Sequence, residues 1–195
     1  MAHRVPSPIE AIVIGASAGA LETLSLLLPA LPRGYPWPLM SVVHLPPDKN
    51  SVLAELLRAK CHVDVREAED KEPICGGTVY FAPPDYHLLV EADRRLSLSS
   101  EEAVQYSRPS IDVLFESAAD AYGAGLVGVI LTGANSDGAR GLKAVVDAGG
   151  TAIVQRPDQA RASAMPQAAL DACPDAQVMS IDEIVAYLLE IIPPK

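Results

Sequence analysis

The 195-residue chain has no apolar run approaching the roughly 20 residues that a membrane-spanning helix needs, so helical integral membrane proteins are excluded. Its first residues, MAHRVPSP, hold no apolar stretch of the kind a secretory signal carries, and the expected compartment is the cytoplasm. Basic residues are scarce: 15 Lys and Arg face 25 Asp and Glu, for a formal net charge of -10. Without a basic cluster, a nucleic-acid partner is excluded, because phosphate binding is driven by grouped Lys and Arg. Cysteine is also sparse. Cys61, Cys75 and Cys173 are odd in number and form no C-x-x-C pair, which argues against both a disulfide framework and a structural zinc site. Cys61 beside His62 reads as a packed, reduced thiol. The chain lacks repeats and linkers too, since the proline-rich stretches 29–38 and 46–47 are too short to separate domains. What remains is 49% hydrophobic residues in one globular unit large enough to enclose a full core.

That unit alternates. Residues 9–14 (IEAIVI) read as a buried strand, and Leu21, Leu24 and Leu28 follow at helical spacing. A second buried run, 39–43 (LMSVV), precedes Leu53, Leu56 and Leu57. From about 77 to 98 the pattern turns to an extended arm or hairpin with Glu91-Ala92-Asp93 between two strand-like stretches. Helical spacing returns at Ile111, Leu114, Phe115, Ala118, Ala119 and Tyr122, with Gly123 as a C-terminal stop. LVGVIL (126–131) and TAIVQ (151–155) are further buried strands. A helix marked by Leu142, Val145 and Val146 lies between them, and Met165–Ala172 forms another. Ser180 and Glu183 spell a capping box ahead of Ile181, Ile184, Val185, Leu188 and Ile192 on one face. Alternating buried strands and amphipathic helices predict an α/β fold: three layers, α/β/α, around a doubly wound, mainly parallel sheet with a β-hairpin insert. A short N-terminal extension, 1–8, precedes a catalytic unit over 9–192.

In such a sheet ligands bind beyond the carboxyl ends of the strands. Three strand ends there carry polar residues of useful kinds. Ser17 lies in the turn of IGASAGA, where Gly15 and Gly19 allow a sharp bend and the following helix offers backbone N–H groups to an oxyanion. The G-x-S-x-G spelling also matches a nucleophile elbow. A dinucleotide fold would place G-x-G-x-x-G at this turn, but Ser17 and Ala20 stand at two of its glycines, and the second strand ends in His44 instead of an acid. His44 precedes the stiff corner Leu45-Pro46-Pro47. Asp137 sits in ILTGANSDGARGL, where an aspartate often forms a turn or caps the next helix. Together the three supply nucleophile, general base and orienting acid. The residues alone leave two classes open, a serine acyl hydrolase and a nucleotide or small-ligand binder.

Six segments in order, IGASAGA (14–20), VVHLPP (42–47), VREAEDKEPICGGTVYFAPPDYH (65–87), SRPSIDVLFESAA (107–119), VGVILTGANSDGARGL (127–142) and AMPQAAL (164–170), resemble the catalytic domain of the chemotaxis receptor methylesterase family, CheB. The resemblance runs from about residue 9 to 192 and leaves out the receiver domain that family members carry N-terminally; eight residues precede the first strand here. It implies a Ser-His-Asp triad of Ser17, His44 and Asp137 that hydrolyses glutamate methyl esters on the cytoplasmic helical bundle of chemoreceptors, releasing methanol, with related glutamine deamidation in some relatives. It implies no cofactor or metal and no insertion into a membrane.

Several positions depart from the family pattern. Ala18 replaces a threonine and Ala134 a methionine, in each case sparing the main-chain N–H as an oxyanion-hole candidate. Ala20 and Asn135 replace glycines, and Asn135 is expected to suit a left-handed backbone. His87 is expected to support a wall, and Arg140 to contact an acidic receptor segment or water. A non-catalytic docking module that keeps the fold and the receptor affinity is the alternative of a different class.

Overall fold

The computed structural model describes residues 8–44 and 52–194. Its centre is a parallel sheet of seven strands: β1 (Ala11–Ala16), β2 (Leu39–Val43), β3 (Asp64–Glu67), β4 (Thr78–Phe81), β7 (Leu126–Ile130), β8 (Thr151–Gln155) and β9 (Gln177–Met179). Their order is β3-β4-β2-β1-β7-β8-β9. The chain therefore winds outward from β1 in one direction through β2 and, later, in the other through β7, which makes the β1 end the switch point of the sheet.

Side chains alternate across every central strand, and each face has its own helices. Ala11, Val13, Met40, Val42, Ile130 and Val154 point to one side. There they meet α3 (Ile111–Tyr122), α4 (Ala139–Asp147) and α5 (Ala164–Ala172). Ile12, Ile14, Leu39, Val127, Val129 and Ile153 point to the other side, against α1 (Ala20–Leu27), α2 (Val52–Arg58) and α6 (Ile181–Glu190). Burial on both faces explains why the central strands read as unbroken apolar runs. The three-layer α/β/α fold expected from the sequence is the observed one.

Three local expectations shift. The first strand runs to Ala16 instead of Ile14, because Gly15 and Ala16 continue the ladder opposite Val42 and Val43. β3 escapes the sequence pattern: it is an edge strand whose residues Asp64, Arg66 and Glu67 are polar, with Val65 alone buried. Only the second half of the segment 77–98 is the hairpin. β4 joins the main sheet beside β2, whereas β5 (His87–Val90) and β6 (Leu96–Ser99) pair antiparallel and pack Leu88, Val90 and Leu96 on the α3 side of the core. No helix among the described residues is long and apolar enough to cross a membrane.

Candidate active site

The turns after β1, β2 and β7 converge. Ala16 pairs with Val43, and beyond that pair the His44 N–H donates to the Ala16 carbonyl at 3.1 Å while the Ser17 N–H donates to the Thr132 carbonyl at 2.9 Å. The sheet register thus sets Ser17 beside His44 on one side and beside the β7 turn on the other. Gly19 opens α1 at φ 87°, and a Cβ there would lie 2.8 Å from the Arg161 Cβ, so the bend after Ser17 requires glycine. Thr132 buttresses this bend. Its hydroxyl donates to the Ala18 carbonyl at 2.7 Å and accepts the Ala162 N–H at 3.0 Å.

His44 donates from Nε2 to Asp137 Oδ2 at 2.8 Å. Asp137 is fully buried, and three donors besides His44 converge on its carboxylate. The same Oδ2 accepts the Ile111 N–H at 2.7 Å, and Oδ1 accepts the Ser110 hydroxyl at 2.8 Å and the Asp112 N–H at 3.0 Å. Burial by itself would push this carboxyl up. The bonds from His44, from the Asp112 and Ile111 N–H groups and from Ser110 outweigh that effect and hold it below the usual carboxylate range. It is a fixed negative charge aimed at an imidazole.

Local capping is thereby overturned as the role of Asp137. The residue precedes α4 in the chain, yet its carboxylate caps the first turn of α3. Asp112, in that first turn, returns the favour: its Oδ1 accepts the N–H groups of Gly138 and Gly141 at 3.0 and 2.7 Å, capping α4. Two buried carboxylates thus lock two helix N-termini together, each satisfying orphan donors of the other helix. Burial raises the Asp112 carboxyl, and the neighbouring Asp137 charge adds to this, against the pull of the Gly141 and Gly138 N–H groups and of Arg140. Gly138 between them is at φ 97°, and a Cβ would meet Ile111 Cγ2 at 2.7 Å.

Of the residues expected at the site, the structure joins His44 and Asp137 directly and sets Ser17 alongside. The Ser17 hydroxyl makes no hydrogen bond among the described residues, nor do the N–H groups of Ala18 and Ala134, both of which lie in exposed turn positions. Leu45-Pro46-Pro47, the expected corner, lies outside the described residues. Asn135 corrects an expectation. It is not left-handed; its side chain does the work, Oδ1 accepting the Asp137 N–H at 3.2 Å and Nδ2 facing His44 Nδ1 at 3.3 Å. Sequence reasoning also passed over Ser110, Asp112 and Thr132. The only hint of them was their place in segments already quoted, beside strand and helix ends. His87 does brace a wall, since its Nε2 donates to the Glu102 carbonyl and its Nδ1 accepts the Ser110 N–H. Arg140 is engaged with Glu116 at 2.6 Å. Among the described residues no group of three or more His, Cys, Asp and Glu side chains is disposed to hold a metal ion.

The family model described as CheB methylesterase matches residues 12–188. The chain belongs to the CheB methylesterase family. The CheB methylesterase catalytic domain of Thermotoga maritima superposes with a TM-score of 0.90 at 31% identity, covering 95% of this chain and all of that one. A Leptospira interrogans protein provisionally named protein-glutamate methylesterase/protein-glutamine glutaminase is 45% identical over 93% of this chain and 94% of its own length. Other CheB relatives are longer. An Archaeoglobus fulgidus protein-glutamate methylesterase/protein-glutamine glutaminase is 36% identical, and the protein-glutamate methylesterase FrzG of Myxococcus xanthus 35%. This chain spans only 54% and 55% of their lengths.

Proposed function

We propose that this CheB-family chain is a serine hydrolase that removes methyl esters from glutamate side chains of chemoreceptor-like proteins, with Ser17 as nucleophile, His44 as general base and Asp137 as the orienting acid. The observation that carries the reading is the His44–Asp137 bond at 2.8 Å, made by a carboxylate that is buried and held by three further donors, at the strand end next to Ser17. A docking module of this fold would keep the same carboxylate as the cap of α3, but that cap by itself does not call for an imidazole bonded to it. The names of the relatives point to the same ester and to a glutaminase side activity. The catalytic unit of this reading is residues 9–192, with 1–8 as an extension, working in the cytoplasm on the helical bundle of a receptor.

The chemistry follows from the donors. Asp137 only accepts, so Nε2 of His44 keeps its hydrogen and Nδ1 carries the lone pair. Ser17 gives its hydroxyl proton to Nδ1 as Oγ bonds the γ-carbonyl carbon of the glutamate ester. The oxyanion that forms is met by the N–H groups of Ala18 and Ala134, which have no other acceptor among the described residues. Collapse returns the proton to the departing methoxide, methanol leaves, and a water activated by the same nitrogen cleaves the acyl-enzyme to a free carboxylate. This sequence needs no cofactor.

The test is methanol release from methylated cytoplasmic receptor fragments, native protein against Ser17→Ala. Release that disappears in the variant supports both the activity and the nucleophile. Failure of the native protein to release methanol while still binding the fragments would overturn the esterase in favour of a docking module.

A further inference from the structure

Asn135 occupies a position its family pattern gives to glycine, and its side chain is bonded at both ends. The Asp137 N–H can only donate, so it selects the amide oxygen, at 3.2 Å, and thereby turns the NH2 group toward the imidazole. That group lies 3.3 Å from His44 Nδ1. On the far side of the ring Asp137 holds Nε2–H at 2.8 Å. Both ring nitrogens are thus occupied. The lone pair that would take the Ser17 proton is already accepting a hydrogen from Asn135, while the Ser17 hydroxyl has no partner among the described residues.

We propose that Asn135 is a positioning residue that occupies the lone pair of His44 in the resting enzyme and holds turnover down until substrate and Ser17 displace it. This rests on His44 being the general base. The contact favours the ground state over the transition state: once Nδ1 carries the serine proton, two N–H groups face each other, and the amide cannot reverse without stripping the Asp137 N–H of its acceptor. An interaction stronger before the chemical step than during it slows that step.

Two variants separate this role from a merely structural one. Asn135→Ala removes both bonds. Asn135→Ser retains a short side-chain oxygen able to accept the N–H two residues on, as serine does in such turns, but places no donor at Nδ1. Kinetics on a helical peptide carrying a glutamate γ-methyl ester should show kcat raised in both variants by about two- to tenfold, the worth of one hydrogen bond, with KM changed by less than about twofold. The 15N signal of His44 Nδ1, assigned against His44→Gln, should move in both variants toward that of a free lone pair. If Asn135 matters only through its oxygen, Asn135→Ala slows turnover, Asn135→Ser restores it and the ring signal stays put; that result overturns the proposal. Should the ring signal move while neither variant nor the native protein hydrolyses ester, the esterase reading falls and the restraint on turnover falls with it. Hydrolysis by the native protein with unchanged kcat in both variants overturns the proposal alone.

Discussion

At the residue scale the site turns on a single buried carboxylate. Asp137 accepts four hydrogens, from His44, Ser110, Ile111 and Asp112, and it does so fully charged. Its lowered pKa means that the stability it contributes is present above the ordinary carboxylate range and lost as pH falls below that range. Asp137→Asn replaces an acceptor with an NH2 group among donors alone. We expect the variant to lose about 10^4-fold in kcat, the consequence of a wrong imidazole tautomer, and to unfold at lower temperature because backbone N–H groups of α3 lose their acceptor. Methanol release and calorimetry on the same preparation check both parts. An equal Tm in the two proteins would show that the helix cap does not depend on the charge. The candidate residues Ser17, His44 and Asp137 were visible in the sequence because polar side chains at the ends of apolar strands stand out. Asn135 stood out only as a departure from a glycine and Asp112 not at all, since their importance lies in which atoms they face across the fold.

At the scale of elements, capping decides more than propensity. The Ser180–Glu183 box at the start of α6 is present as its spelling predicts: the Ser180 hydroxyl accepts the Glu183 N–H, and the Glu183 carboxylate accepts the Ser180 N–H at 2.7 Å. The Ser180 N–H, the Arg156 guanidinium and the Ser180 hydroxyl bring the Glu183 carboxyl down to about 2 from 4.5. A depressed carboxyl stabilises the fold above its unfolded pKa and ceases to do so as pH falls through its folded one. The Tm advantage of the native protein over Glu183→Gln should therefore hold at neutral pH, shrink between about pH 5 and about pH 2, and be gone below. A constant difference across that range would show that the side-chain charge plays no part. Capping between α3 and α4 is of another kind. Neither helix begins with a side-chain cap of its own, and each borrows one from the other's neighbourhood. Local spelling therefore revealed α6's start and concealed theirs. β3 was concealed for a different reason: an edge strand with one buried residue has no apolar run to read.

At the scale of the whole molecule, one sheet serves two cores. Phe115 packs in the layer of α3, α4 and α5, and Leu24 in the layer of α1, α2 and α6. Because both layers rest on the same central strands, Phe115→Ala and Leu24→Ala should each lower the stability of the entire chain, by about 3–5 and about 2–5 kcal/mol. Each should do so within a single calorimetric transition, since neither layer has a sheet of its own to keep. Two separated transitions in either variant would show that the layers unfold independently. The alternation of buried strands and amphipathic helices was enough to specify this architecture, because a strand covered on both faces must be apolar throughout and a helix covering it must be apolar on one side. It was also enough to put a hydroxyl, an imidazole and a carboxylate at strand ends. Tertiary structure alone decided that Asp137 caps α3 instead of α4, that Asp112 answers it, and that Asn135 reaches the imidazole. Those contacts join residues 25 to 91 positions apart, and no periodicity along a chain records which atoms a fold will bring within hydrogen-bond reach of one another.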